Sequence, residues 1–225
     1  MPNSMRRLEI DVVSDVMCPW CYIGKRKLEA ALDARPRVHA DVRWRPYQLD
    51  ATIPREGMDR KVYLARKFGA ERASDIYRSI QEAGAQFAIP FAFDRITKSP
   101  NTLNAHRVIR WAATAGVQEA VVELLFEAYF VSGADLSDPE ILADLAAEAG
   151  MEREIVARLL SGSADEDLVT QEYQMAQSMG VQGVPCFIFA NKYVVMGAQD
   201  PEVLVQAIDR ALSDEAGETK ATGTA

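Results

Sequence analysis

The chain has three cysteines, and two of them, Cys18 and Cys21, stand in the stretch "SDVMCPWCYIGKRKLEAAL" with only Pro19 and Trp20 between them. Two thiols at this spacing can exchange disulfides, form half of a metal site or staple a fold, and their surroundings separate these chemistries. A structural zinc site needs four ligands. Only Cys186, His39 and His106 remain to complete one, and none stands in a pair at finger spacing, so no metal is expected. The opening "MPNSMRRLEIDVVSD" lacks the apolar core of an export signal, and no window approaches about eighteen uninterrupted apolar residues. The expected address is therefore cytoplasmic, off the membrane, where thiols stay reduced and permanent staples are rare. Redox chemistry remains. Disulfide exchange needs a thiolate, and the unpaired N–H groups at a helix N-terminus favour that anion. Cys18 sits where an apolar run turns into an amphipathic helical pattern. Pro19 suits the first helical turn because it has no N–H to leave unpaired there. Cys21 falls on the same helix face, close enough to resolve an adduct on Cys18, and Trp20 adds bulk without a titratable donor.

The elements that must hold this pair follow from periodicity. "RLEIDVVSD" alternates Leu8, Ile10 and Val12 as a strand, a helix runs from about Pro19 to Ala34, and "VHADVRWRPYQL" repeats the strand pattern. From Gly57 the period becomes helical for roughly a hundred residues, with several segments ending in glycine and "SDPE" offering an N-cap. After one more helix, "VPCFIFANKYVVMG" reads as two short strands joined at "ANK", and "DPEVLVQAIDRAL" closes the chain as a helix. The order β-α-β, helical insertion, α-β-β-α is an α/β arrangement of the thioredoxin-like type. Its expected boundaries are residues 6–50 and 165–213 for the thioredoxin-like part, 55–164 for an all-helical insertion domain, and 214–225 for a disordered tail of small polar residues. With 225 residues, 48% of them hydrophobic, the chain can bury a real core, and a net charge of −8 argues against nucleic acid as a partner.

Three motifs in this order, "CPWCYIGKRKLE", "NTLNAHR" and "GVQGVP", resemble the DsbA oxidoreductase family, in particular its FrnE-like branch of cytosolic members, over nearly the whole chain. The resemblance implies that Cys18 is the attacking thiolate, Cys21 the resolving thiol and Pro185 a cis proline packed against the pair. It also implies that the backbone of Val184 pairs with an extended substrate, and that Asn101 and His106 line the groove at the mouth of the helical block. Trp20 stands where periplasmic oxidases carry histidine, which implies a less oxidising disulfide.

The remaining residues read more plainly. Cys186 in "CFIF" is a small buried hydrophobe whose side chain alternates away from whatever Pro185 touches. His39 belongs in an exposed turn or at a strand edge. Phe126, Tyr129, Phe130, Met175 and Met179 recur at helical spacing as core, and the basic run "GKRKLEAALDARPR" reads as a solvated helix face. The sequence thus predicts a thiol:disulfide oxidoreductase with no bound cofactor. Its partners are disulfide- or dithiol-containing proteins and glutathione, with a homodimer offered by the long amphipathic helices. The competing class is a glutathione-dependent isomerase or transferase, similar to 2-hydroxychromene-2-carboxylate isomerase and the kappa-class transferases. Those relatives carry serine at the position of Cys18 and lack the second cysteine.

Overall fold

A computed structural model describes residues 5–69 and 72–221. The alternating Leu8, Ile10 and Val12 lie buried on strand β1 (Arg6–Ser14), which is followed by helix α1 (Pro19–Asp33) and strand β2 (Val38–Pro46), parallel to β1. The inserted block then holds β3 (Met58–Asp59), α2 (Arg60–Phe68), α3 (Arg72–Ala85), β4 (Lys98–Ser99), α4 (Leu103–Ala115), α5 (Gln118–Glu127), α6 (Pro139–Glu148) and α7 (Arg153–Leu160). Helix α8 (Glu166–Ser178), strands β5 (Cys186–Phe189) and β6 (Tyr193–Met196), and helix α9 (Pro201–Ala221) complete the order. The insertion is not purely helical: β3 and β4 pair as an antiparallel ribbon of two residues each. Helix α9 also runs past residue 214, where the composition leads one to expect order to end, and residues 222–225 lie outside the described residues.

The four main strands form one sheet in the order β2-β1-β5-β6, with β5 antiparallel to both of its neighbours. Ala190 and Asn191 turn the β5–β6 hairpin with consecutive positive φ angles of 50° and 54°, the backbone twist that matches right-twisted strands. On the edge strand β2, His39 is exposed. No helix among the described residues is long and apolar enough to cross a membrane.

One aromatic core joins the sheet to the insertion. Tyr22 of α1 stacks on Phe126 of α5 with ring centres 5.0 Å apart, and Phe91 meets Phe130 edge-on at 5.4 Å. Contacts of this kind add about 0.5–1.5 kcal/mol each beyond the area they bury. Trp44 of β2 is held by the same helix, its Nε1–H donating to Glu119 Oε2 at 2.7 Å. The basic run of α1 is not a solvated face throughout, because Lys25 is only 3% exposed and meets Glu119 and Glu123 at 2.7 Å each, as well as Glu29. Burial alone would lower its pKa, but the three carboxylates outweigh that cost and hold the ammonium above the usual lysine range. Phe126, Tyr129 and Phe130 are fully buried, whereas Met175 and Met179 are 63% and 71% exposed. Helix α8 turns Val169 and Ala176 inward instead, so the methionines one turn apart fall on its outer face.

Two features of this packing are measurable. Gly24 lies so close to the strand side that a Cβ there would sit 2.8 Å from Pro185 Cγ and 3.1 Å from Phe187 Cζ. Gly24→Ala should therefore cost about 1–3 kcal/mol in urea unfolding despite the better helix propensity of alanine. An unchanged or raised midpoint would mean that α1 is free to shift. Cys186 is completely buried among Val13, Tyr47, Ala176 and Val181, and burial pushes its thiol up to about 11. A raised pKa in the folded state gives stability that is fully present below the ordinary thiol pKa and is lost as pH climbs from there through the raised value of about 11. From pH ~8.5 to ~11 the wild type should lose up to about 2–3 kcal/mol more than Cys186→Ala does over the same range. Parallel pH profiles for the two proteins would refute the burial of this thiol.

Candidate functional site

Strand β1 ends at Ser14, and a tight bend through Asp15 delivers Cys18 as the N-cap of α1, with its amide donating to the Asp15 carbonyl at 3.0 Å. The backbone of Cys18 is extended, at φ −93° and ψ 112°, so the helix proper starts at Pro19, where the missing N–H costs nothing. Cys21 closes the first turn through its amide, which donates to the Cys18 carbonyl at 3.0 Å. All three cysteines are free thiols. Cys18 retains 4% exposure and Cys21 none, while Trp20 beside them is 38% exposed.

The second half of the site comes from the segment before β5. The Val184–Pro185 peptide is cis, and the Cys18 thiol lies 3.7 Å from the Val184 carbonyl, to which it donates. The Pro185 carbonyl accepts from Gly197 N at 2.7 Å, so the loop after β6 holds this turn from its other side. Half-buried Val184 and buried Pro185 therefore flank the thiol that keeps some access to solvent, and Gly24 is the point at which α1 comes close enough for this to happen. Burial, and then hydrogen bonding to and the charge of Cys18, push the Cys21 thiol well above its ordinary pKa, while the Ser14 side chain and the Asp15 backbone oppose the shift. Cys21 therefore holds its proton near neutral pH.

Asn101 and His106 are placed differently from the groove positions that the motif implies. Asn101 is half-buried and spends its side chain on the backbone: Nδ2 donates to the Ile53 carbonyl at 2.7 Å, and Oδ1 accepts from Leu103 N at 3.0 Å, closing the start of α4. His106 is 3% exposed, with Nε2 donating to the Tyr47 carbonyl at 2.9 Å and lying 3.5 Å from Asp15 Oδ1. Both residues make contacts that tie α4 and the turn before it to the segment after β2. Sequence reading missed Asp15, which is fully buried, accepts from Leu49 N at 2.7 Å and from Met17 N at 3.4 Å, and so ties the cysteine bend to the segment that follows β2. It also missed Tyr63 of α2. Burial, followed by the charges of Asp50 and Asp15, raises this phenol above its ordinary pKa, Arg60 opposes the shift, and Cys18 adds to it. A carboxylate three residues before the first cysteine of the pair was a visible signal for Asp15; nothing local marked Tyr63. No group of three or more His, Cys, Asp or Glu among the described residues is placed to hold a metal ion.

A thiol with residual access, a backbone carbonyl beside it and a protonated thiol one turn behind make an arrangement suited to disulfide exchange. Known proteins share its frame. The probable DsbA oxidoreductase SCO1869 from Streptomyces coelicolor is 30% identical, with a TM-score of 0.83 over 91% of this chain and 89% of that one. At lower identity the fold alone is shared. A 2-hydroxychromene-2-carboxylate isomerase is 16% identical, with a TM-score of 0.64 over 93% of this chain and 98% of its own. The cytosolic disulfide reductase DsbM from Pseudomonas aeruginosa, solved with GSH, is 19% identical, with a TM-score of 0.60 over 94% and 99% of the two chains. The family model for the DSBA-like thioredoxin domain matches residues 9–209, from the first strand to the last helix and across both halves of the thiol site, and this chain belongs to that family.

Proposed function

We propose that the protein is a thiol:disulfide oxidoreductase that works through a mixed disulfide on Cys18. The observation that carries this reading is the placement of Cys18 at the N-terminus of α1, against the Val184 carbonyl and with the protonated thiol of Cys21 behind it. In the reductive direction the Cys18 thiolate attacks one sulfur of a substrate disulfide. A new S–S bond forms to Cys18, and the other substrate sulfur leaves as a thiolate and takes a proton. Cys21 then gives up its proton and attacks the Cys18 sulfur, releasing the second substrate thiol. Two electrons have passed to the substrate, and the protein holds a Cys18–Cys21 disulfide; the reverse sequence oxidises a dithiol. Val184 and Pro185 form the edge along which an extended substrate lies. The substrates are protein or small disulfides, glutathione included, and the address is the cytoplasm. Support for the last two points comes from the fold shared with DsbM, which is described as cytosolic and was solved with GSH. The FrnE-like branch is the placement within the family that the three motifs favour.

The isomerase reading rests on a shared fold at 16% identity, and Cys21 separates the two. An enzyme that only orients a glutathione thiolate has no use for a second buried thiol one helical turn away, whereas a disulfide exchanger cannot release its adduct without one. Limiting iodoacetamide on the reduced protein, mapped by mass spectrometry, should label Cys18 first; prior labelling of Cys21 or Cys186 would reverse the assigned roles. Cys21→Ser should abolish multiple-turnover disulfide reduction and trap covalent adducts on Cys18, while glutathione-dependent isomerisation of a chromene carboxylate stays low in both proteins. Isomerase turnover that persists in the variant alongside unaltered disulfide turnover would defeat the proposal.

A further inference from the structure

Arg60, the first residue of α2, is a buried cation of an unusual kind. It is 6% exposed, and its guanidinium donates to two phenols, Tyr129 Oη at 2.8 Å and Tyr77 Oη at 2.7 Å. The faces of the same two rings lie 5.8 Å and 5.2 Å from its central carbon. Among the described residues no carboxylate forms an ion pair with it. The other buried cations are treated differently: Lys25 has three carboxylates, and Arg107 spans three backbone carbonyls, Asn104 and, at 3.6 Å, Glu166. Phenols and ring faces solvate a guanidinium without neutralising it, so its donors are left free to take an anion.

The same arginine lines a cavity of about 820 Å³, a volume in the range of small-molecule sites. Leu64, Phe93 and Ile96 give it an apolar wall. Tyr77 lines it as well, its hydroxyl accepting from Arg60 and so leaving its own hydrogen to donate. Two acidic residues share the lining without serving the arginine. Asp59 turns its carboxylate to its own helix, accepting from Val62 N at 3.0 Å, and Asp94 is exposed, as is the cation Lys61. We propose that this cavity binds an organic carboxylate with an apolar body, its charged end on the Arg60 guanidinium and the Tyr77 hydroxyl, and its body against Leu64, Phe93 and Ile96. The guanidinium fork matches a carboxylate in geometry as well as charge. No cysteine lines the cavity, so the site is independent of the redox assignment.

The test is calorimetric titration of the full chain with 4-phenylbutyrate and with its uncharged amide, neither of which contains sulfur. The wild type should bind the acid at least about tenfold more tightly than the amide, because only the acid neutralises Arg60. Arg60→Met should lose that preference. Leu64→Trp, which fills the apolar wall and leaves the guanidinium in place, should weaken the acid by at least about tenfold. Should Arg60→Met fail to fold by circular dichroism, the acid-to-amide ratio of the wild type and the Leu64→Trp result decide the matter alone. Equal affinities for acid and amide, no binding of the acid to the wild type, or undiminished binding to Leu64→Trp would each overturn the proposal.

Discussion

The close approach of α1 to the segment that opens β5 is the constraint on which the thiol site depends. Two chain segments about 160 residues apart must meet so that a cysteine at a helix N-terminus touches a backbone carbonyl, and the Cys18–Val184 contact is that meeting. It is possible because position 24 has no side chain where Pro185 and Phe187 press against the helix. Phe187 in turn is fixed by its pairing with Val12 in the sheet, and Pro185 by the bond from Gly197 to its carbonyl. Sheet register, helix position and site geometry are thus one problem, solved by packing that tolerates little change in volume.

Buried polar groups place the insertion over this frame. Asp15 leaves the sheet at the cysteine bend and is met by Leu49 N and His106, while Lys25 on α1 is met by Glu119 and Glu123 on α5. Such pairs contribute little net stability, since desolvation offsets most of the attraction, but breaking one leaves a charge buried without a partner. Their effect is to penalise alternative docking angles. An aromatic core such as that of Tyr22, Phe126 and Phe130 can slide at modest cost, whereas hydrogen-bonded charges lose several partners at once. The apolar contacts hold the two parts together, and the charged contacts set where they sit.

This division explains what the sequence disclosed. The strand alternation of β1, the proline and cysteines at the start of α1, and the burial of Cys186 follow from local rules of period and capping, and each is legible from a few neighbouring residues. The burial of Lys25 is not legible locally because two of its three partners lie nearly a hundred residues away on α5, and the nearby Glu29 alone is what a solvated helix face would also show. Met175 and Met179 were misjudged for the opposite reason. Their spacing does mark one helix face, but α8 has a smaller inner face built on Val169 and Ala176, and composition cannot say which face turns inward. The polar contacts of His106 and Asn101 were not legible in the sequence. Both bond backbone carbonyls of the segment that follows β2, a role visible only once the fold brings Tyr47 and Ile53 alongside.

The three thiols show how one environment yields separate chemistries from one residue type. Cys18 stands at a helix start with a backbone carbonyl beside it and some access to solvent; Cys21, one turn inward, is held protonated by burial and by its neighbour. Cys186 is adjacent in sequence to Pro185, yet strand alternation carries its side chain into a cluster with Val13 and Tyr47, and burial alone raises its pKa. A single residue along β5 therefore separates a site position from a core position. The pairing of Val13 with Cys186 and of Val12 with Phe187 maintains that separation, because a slip of one residue would exchange the two faces and bring the wrong thiol to the proline. Which thiols stand beside the proline is in this sense a property of strand register as much as of the cysteine motif itself.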